Sequence, residues 1–322
     1  MAINTLSEAL DNLYTTTWQN MRDKVADQIF NATPFWFWLK KNNKFRTVRG
    51  GRFLTEPLRY AKSDKVVFIT KGGTVTLNDT EFLTVAKDEW RYLVDSIVRF
   101  WVDDQQNSGQ HQIVSLMNAK LDNSRDSLID QIETSLFASA GTAEFNGLQN
   151  LVADDPTTGT VEGINAATYS WWRNQFKNLT GLSWSVNGVD EMRTLYNSCS
   201  KHQGQDTPDI IVSGQTPYEY YEDSVMDQKQ IVNKTLGDAG FSNIQFKGVP
   251  MVWSPACANT RMYFLNTKFL TFVYDPAFNF EMTEWKTIPD QVNDRAAQIV
   301  LAGNLMTSRR KVHGVIFNID TE

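Results

Sequence analysis

Along residues 110–138 apolar side chains recur at Ile113, Met117, Leu121, Leu128, Ile132 and Leu136, with Val114 and Ile129 beside them. This is the spacing of one stripe on an α-helix. Ser108-Gly109 punctuates its start, and Ala140-Gly141-Thr142 supplies an exit glycine. At 1.5 Å per residue the stretch predicts a rod of roughly 44 Å, longer than the ~30 Å width of a small domain. Asp122, Asp126, Asp130 and Glu133 stand on the opposite face. Like charges at such steps destabilise an isolated helix by a few tenths of a kcal/mol per pair. The row is therefore either a solvated face or a surface that meets basic groups or repels a polyanion.

Ahead of this helix, Thr5-Leu6-Ser7-Glu8 forms a capping box, and Leu6, Leu10, Leu13, Thr17, Met21, Val25 and Ile29 follow at helical steps. Pro34 is expected to stop that helix, and the aromatic run Phe35-Trp36-Phe37-Trp38-Leu39 must be buried against something. Lys40, Lys41, Lys44, Arg46, Arg49 and Arg52 come next with no acidic residue among them, as a solvated basic hinge or as a contact for an acidic partner. The pattern then switches to period two, with Trp90, Tyr92, Val94, Ser96, Val98 and Phe100 on one face of a strand. An earlier strand, 65–70, meets the turn signal Lys71-Gly72-Gly73. The two make a long hairpin, which is marginal alone and must lie on other protein, in this chain or a neighbour.

After the long helix, 171–177 and 189–201 read as helical, 209–213 as a strand, and Thr216-Pro217-Tyr218-Glu219 as a helix start with a capping box. Residues 227–240 read as an exposed loop, and strands are expected at 244–253, 261–265 and 270–274. This is a mixed α/β module inserted after the long helix. The tail predicts long strands at 278–284, 296–306 and 312–319, forming one elongated sheet beneath the helix together with the strand that precedes it.

Composition narrows the classes. The 322 residues are 41% hydrophobic, enough to bury a core. A net charge of −6 argues against nucleic-acid binding as the global purpose, because such binding runs on phosphate neutralisation. No apolar run reaches ~18 residues and no secretory leader pattern opens the chain, so a soluble protein made in a cytoplasm is expected. Cys199 and Cys257 imply no disulfide framework. Ten tryptophans and nineteen phenylalanines suit both cores and subunit interfaces.

Catalytic chemistry finds no foothold. His111, His202 and His313 are isolated from any ligand-spaced partner. Gly72-Gly73 lacks the Gly-Lys-Ser/Thr ending of a phosphate loop, and Val212-Ser213-Gly214 lacks the pattern of a nucleophile elbow. Cys199 and His202 are three apart with no orienting third group. No catalytic, cofactor-binding or metal-binding residue is assigned, and a structural protein rather than an enzyme is expected.

The order of parts, basic arm, long hairpin, beam helix, inserted α/β module and terminal long strands, resembles the major capsid proteins of tailed double-stranded DNA bacteriophages. That fold is shared with encapsulins and the herpesvirus capsid floor. Local wording agrees at Val25-Ala26-Asp27-Gln28-Ile29-Phe30-Asn31-Ala32-Thr33-Pro34, Asp104-Gln105-Gln106-Asn107-Ser108-Gly109, Asn146-Gly147-Leu148, Ser170-Trp171-Trp172-Arg173-Asn174 and Ala302-Gly303-Asn304-Leu305.

The resemblance implies an α+β fold with an N-terminal arm (1–45), an extended β-hairpin loop (46–102), a peripheral domain with spine helix and long antiparallel sheet (103–164 and 278–322) and an inserted α/β axial domain (165–277). It implies a subunit that assembles with itself into hexamers and pentamers, closing an icosahedral virion shell around double-stranded DNA without sequence-specific binding. Assembly would take place in the host bacterial cytoplasm, with no membrane, and with a separate scaffolding protein, a portal, and decoration or head-completion proteins as possible partners. Candidate contacts between subunits are the aromatic cluster Phe35, Trp36 and Trp38, the hinge cations Lys40, Lys41, Arg46, Arg49 and Arg52, the loop tip Lys71, Gly72 and Gly73, and the acidic row. The row would either face the enclosed DNA or pair with the basic hinge. The alternatives are an encapsulin-like shell storing cargo enzymes and a soluble α/β enzyme.

Overall fold

The computed structural model describes residues 16–18, 34–63, 65–75, 77, 79, 81–102, 110–139, 143–200, 206–225, 244–291 and 293–319, with the backbone alone for 110–118. In chain order, helix α1 (Pro34–Lys41) and strand β1 (Phe45–Thr47) precede a hairpin of β2 (Phe53–Arg59) and β3 (Leu83–Glu89), then β4 (Arg91–Arg99) and the long helix α2 (Gln110–Phe137). Next come α3 (Leu148–Leu151), β5 (Thr160–Val161), β6 (Ile164–Asn165), β7 (Gln175–Asn178), α4 (Trp184–Cys199), β8 (Ile210–Ser213) and α5 (Gln215–Val225). The last third is β9 (Ile244–Phe246), β10 (Val249–Trp253), β11 (Met262–Leu265), β12 (Leu270–Met282), β13 (Lys286–Thr287), β14 (Arg295–Thr307) and β15 (Gly314–Phe317).

Helix α2 forms where its stripe predicts, over 28 residues. Leu121, Leu128, Ile132 and Leu136 are buried in one core with Phe280, Ile299 and Leu301 of the sheet strands β12 and β14. Each such side chain contributes about 1.5–3 kcal/mol on leaving water, which outweighs the repulsion along the acidic face. The side chains of Ile113, Val114 and Met117, the flanking glycines 109 and 141, and most of the expected N-terminal helix lie outside the described residues. Within that segment Thr16, Thr17 and Trp18 are helical, and the buried Trp18 indole donates to the Phe280 carbonyl at 3.0 Å.

The sheet against α2 is built on the antiparallel pair β12 and β14, with β4 antiparallel on β14, β1 parallel on β12, and β13 completing the end of β14. Gly303 is required where β14 crosses Phe272, since a Cβ there would lie 2.7 Å from the Val273 carbonyl and 2.9 Å from the Phe272 ring. The second sheet has six strands in the order β7-β15-β11-β8-β10-β9. Met192 and Leu195 of α4 and Tyr218 and Tyr221 of α5 pack in its core with Phe246, Met251 and Phe264. The β2–β3 hairpin stands apart as a two-stranded ladder of seven pairs, from Phe53↔Glu89 to Arg59↔Leu83.

Several expectations are corrected. Pro34 opens a helix instead of ending one; at the first helical position its missing N–H costs nothing and its φ is already set. Residues 171–177, expected as helix, are a 3₁₀ turn (Ser170–Trp172) and then β7, which a parallel ladder with β15 holds extended. The expected helix 189–201 starts earlier, at Trp184. The expected strand 244–253 is two strands joined by a turn with Lys247 at φ 51° and Gly248 at φ 80°. Strand β12 runs through what looked like two strands, absorbing register shifts between Tyr274 and Glu281 as bulges. The tail strand expected at 312–319 is the four-residue β15, and it lies between β7 and β11 in the second sheet instead of joining β12 and β14. Residues 65–70, expected as a strand, pair with nothing among the described residues. The expected loop 227–240 lies outside the described residues.

Candidate functional site

The aromatic cluster is not an exposed contact. Phe35, Trp36 and Trp38 are buried in the chain's own core. Trp36 stacks on Phe45 at 5.4 Å and meets Phe272 edge-on at 4.7 Å. Helix α1 thus lays its apolar face on β1 and β12, which leaves this cluster no area to offer a neighbour. Lys40 and Lys41 close its last turn, where the helix dipole favours cations, and the Lys41 ammonium lies 4.9 Å from the Trp38 ring centre.

The basic hinge divides. Arg46 is committed within the chain, to Glu56 at 2.5 Å and to the Thr55 carbonyl at 3.3 Å. Arg49 and Arg52 are exposed, the latter 5.1 Å from the Phe53 ring.

The acidic row is shorter than its spacing suggests. Asp122 and Asp126 flank Arg125 at 3.2 and 2.9 Å, so a cation of the same helix interrupts the row. Asp130 is exposed. Glu133 leaves the row: it accepts the Ser254 hydroxyl at 2.5 Å in the turn after β10. Burial raises its carboxyl above the ordinary range, against the pull of that hydrogen bond.

At the loop tip Lys71, Gly72 and Gly73 form an exposed turn, closed by the Gly73 N–H to the Thr70 carbonyl at 2.9 Å, with Gly72 at φ 87°. The residues on either side of the turn are apolar and face water. Val66 is 87% exposed, Leu77 93% and Phe68 fully, with Val67, Ile69 and Val75 about half exposed. A soluble monomer seldom presents so many neighbouring apolar side chains to water. The available sign was an apolar run with no polar alternation.

The hairpin's base is fixed by a buried polar junction that sequence reasoning also missed. Asn146 binds Asp88 of β3 through its amide, takes the Asn304 side-chain oxygen on its backbone N–H at 2.8 Å, and accepts the Asn150 amide at 3.1 Å. Asn304 donates to the Glu89 carbonyl at 3.1 Å. Gly147 is required beside them, because a Cβ would lie 2.7 Å from the Ser135 carbonyl at the end of α2. The Glu162 carbonyl accepts the Lys87 N–H of β3 at 2.9 Å, and its carboxylate accepts the Thr307 N–H at 2.7 Å. His313 is fully buried, with Nδ1 accepting the Asn266 N–H at 3.2 Å and Nε2 3.3 Å from Thr307 Oγ1. Burial, then the nearby Arg310, push its pKa down to about 3, so it is a neutral structural group at physiological pH.

Both thiols are buried, and burial pushes Cys257 up to about 12 and Cys199 higher still. Among the described residues no group of three or more His, Cys, Asp or Glu gathers to hold a metal. No described helix is long and apolar enough to cross a membrane.

No protein-family profile matches the sequence, and no curated protein does. Solved structures match over nearly the whole chain. The capsid asymmetric unit of cyanophage A-1(L) is 16% identical, with a TM-score of 0.62 over 86% of this chain and 90% of that one. The holo-SrpI encapsulin complex of Synechococcus elongatus is 14% identical, with a TM-score of 0.55 over 90% and 89%. The capsid of the native GTA particle is 10% identical, with a TM-score of 0.54 over 87% and 89%. The likeness shows the fold, which is the one these shell subunits share and the one the sequence resembles.

Proposed function

We propose that the chain is the shell-forming subunit of a tailed-phage head, assembling with itself into hexamers and pentamers that close around double-stranded DNA. The carrying observation is the hairpin: a seven-pair ladder anchored by a buried junction carries Val66, Phe68 and Leu77 into solvent. A protein that invests in a rigid support for an apolar tip has a surface for that tip to meet. The fold likeness to phage capsids supports the reading, and the role is structural rather than enzymatic.

In this assignment α2 and the five-stranded sheet, which takes in β1 and β4 from the ends of the 46–102 segment, form the peripheral domain, the six-stranded sheet with α4 and α5 forms the axial domain, and the β2–β3 hairpin with its tip forms the extended loop. The tail serves both, through β14 in one sheet and β15 in the other. Scaffolding, portal and decoration proteins remain the natural partners of such a head. The contacts between copies are proposed at the loop tip, at Lys41, Arg49 and Arg52, and at Asp122, Asp126 and Asp130.

A second reading, a cellular shell around cargo proteins, is favoured by the encapsulin likeness. Negative-stain electron microscopy of the purified full chain, alone and coexpressed with its neighbouring reading frames, tests the common part. Uniform hollow particles are expected, and small oligomers under every condition would overturn it. Particle contents, nuclease-protected double-stranded DNA or protein, then separate the two shells.

A further inference from the structure

Between the base of the hairpin and the body of the chain lies a cavity of about 870 Å³, within the size range of small-ligand sites. Residues 57–63, at the end of β2 and just beyond, line one side. The other side is the 3₁₀ turn before β7, Phe269 ahead of β12, and the link from β14 to β15 at 308–311. Among the described lining residues four are cations, Arg59 and Lys62 on the hairpin side and Arg309 and Lys311 on the body side, and none is acidic. In a chain whose net charge is −6 this is a local reversal of sign.

Little within the chain neutralises it. Arg59 and Lys62 are exposed and enter no ion pair among the described residues. Arg309 gives one N–H to Asp206 at 2.8 Å, and its guanidinium, which carries five donors, lies 5.5 Å from the Phe269 ring centre. Like charges that converge on a concave space repel one another, and the walls focus their field on the space between. An anion placed there relieves that repulsion.

The cavity also has a flat apolar wall. Tyr60 from the hairpin stacks on Trp171 from the body, with ring centres 5.3 Å apart and planes 23° from parallel, and both line the space. We propose that this cavity binds a nucleotide, with its phosphates on the four cations and its base against the Tyr60–Trp171 pair. Guanidinium groups match phosphate oxygens as a planar fork, and every base has a face that can stack on an aromatic ring. An acidic peptide would meet the cations and leave the aromatic wall unused, and an apolar ligand would do the reverse. A ligand held from both sides ties the hairpin to the body. The site is complete within one chain, so the inference goes beyond the shell reading and does not depend on it.

The test titrates ATP into the full-length subunit at low salt by calorimetry, with hydrogen exchange to locate the site. Saturable one-to-one binding is expected, with slower exchange at both 57–63 and 308–311. Arg59→Glu and Lys62→Glu, at exposed positions, should each weaken binding by roughly tenfold or more, as loss of a charged hydrogen bond does, and leave the denaturant midpoint in place. Trp171→Leu keeps apolar bulk and removes the flat face; it should weaken ATP by roughly tenfold and leave the weaker binding of inorganic triphosphate unchanged. Triphosphate that binds as tightly as ATP would reduce the site to a general anion trap, and an acidic peptide that binds more tightly than ATP would make it a peptide groove. Either result overturns the nucleotide assignment, as does ATP that gives no saturable signal, protects other segments, or binds the charge-reversed variants equally well. Whether particles form bears on the shell reading alone.

Discussion

One carboxylate oxygen of Glu162 accepts the Thr307 N–H at 2.7 Å, while the other is buried with no hydrogen-bond partner among the described residues. The residue also sits at φ 52°, in the left-handed region that a turn with Gly163 demands. Burial is the largest cause raising its pKa well above 4.5; Asp88 on β3 and Glu56 on β2 raise it further, against the Thr307 hydrogen bond and Arg310. The folded state therefore holds this proton more tightly than the unfolded chain. Stability falls as pH rises above about 4.5 and continues to fall until the folded pKa is passed. Glu162→Gln keeps the oxygen that accepts Thr307 and removes the charge. It is expected to stabilise the subunit by on the order of 1–3 kcal/mol at pH 7, with the gap closing toward pH 4 in urea unfolding.

Arg310 is the converse case, a buried cation whose partners need it. Its guanidinium donates to the carbonyls of Leu151 at 2.7 Å, Trp172 at 3.1 Å and Asn150 at 3.4 Å, and to Asn174 Oδ1 at 3.1 Å. These acceptors lie in α3, in the 3₁₀ turn after β6 and in the segments beside them, so one side chain ties the exit of the spine helix to the start of β15. Arg310→Met is expected to cost about 3–5 kcal/mol, because it strands several buried acceptors. Arg310→Lys should restore little, since one ammonium cannot reproduce the planar fork. Denaturant midpoints of the unassembled subunit measure both.

Two aromatic truncations should separate core from interface. Trp36→Ala removes a ring packed on Phe45 and Phe272 inside the chain and is expected to cost about 3–5 kcal/mol of subunit stability. Phe68→Ser removes a ring that touches only solvent and should leave subunit stability within about 0.5 kcal/mol, yet prevent particles from forming. Equal loss of stability from the two would show that the tip belongs to the chain's own core.

The contrast between those residues also shows what the sequence could carry. Helix α2 was legible because a stripe 28 residues long leaves no other period that fits. Pattern could not say that Phe35 to Leu39 would find cover within the chain while Val66 to Ile69 would not, because both are short apolar runs and burial is decided by what folds over them. Nor could it say which sheet β15 joins, since alternation fixes a strand's faces and not its neighbours. Glu162 and Arg310 gave no sign at all. A lone Glu and a lone Arg are ordinarily surface residues, and their burial follows from the meeting of segments some 150 positions apart, as in the bond from Arg310 to Leu151 (159 residues).

The acidic row and the hinge yield the last prediction. Within one chain Arg46 is held by Glu56 and Glu133 by Ser254, so the exposed groups that can meet a second copy are Arg49 and Arg52 on one side and, on the other, Asp130 and Asp126, the latter shared with Arg125 of its own helix. Exposed charges of this kind contribute about 0–1 kcal/mol to the fold of a subunit, whereas like charges brought together at an interface cost several kcal/mol. The double variant Asp126→Lys with Asp130→Lys should therefore unfold at nearly the same denaturant concentration as the unmodified subunit and fail to form particles. Adding Arg49→Glu and Arg52→Glu to the same chain should bring particles back, with a weaker yield at high salt, where screening shortens the reach of both charge sets. Particles that form normally from the double variant but differ in how they retain DNA would instead place the row on the wall facing the enclosed polyanion, where negative charge keeps the shell from adhering to what it confines.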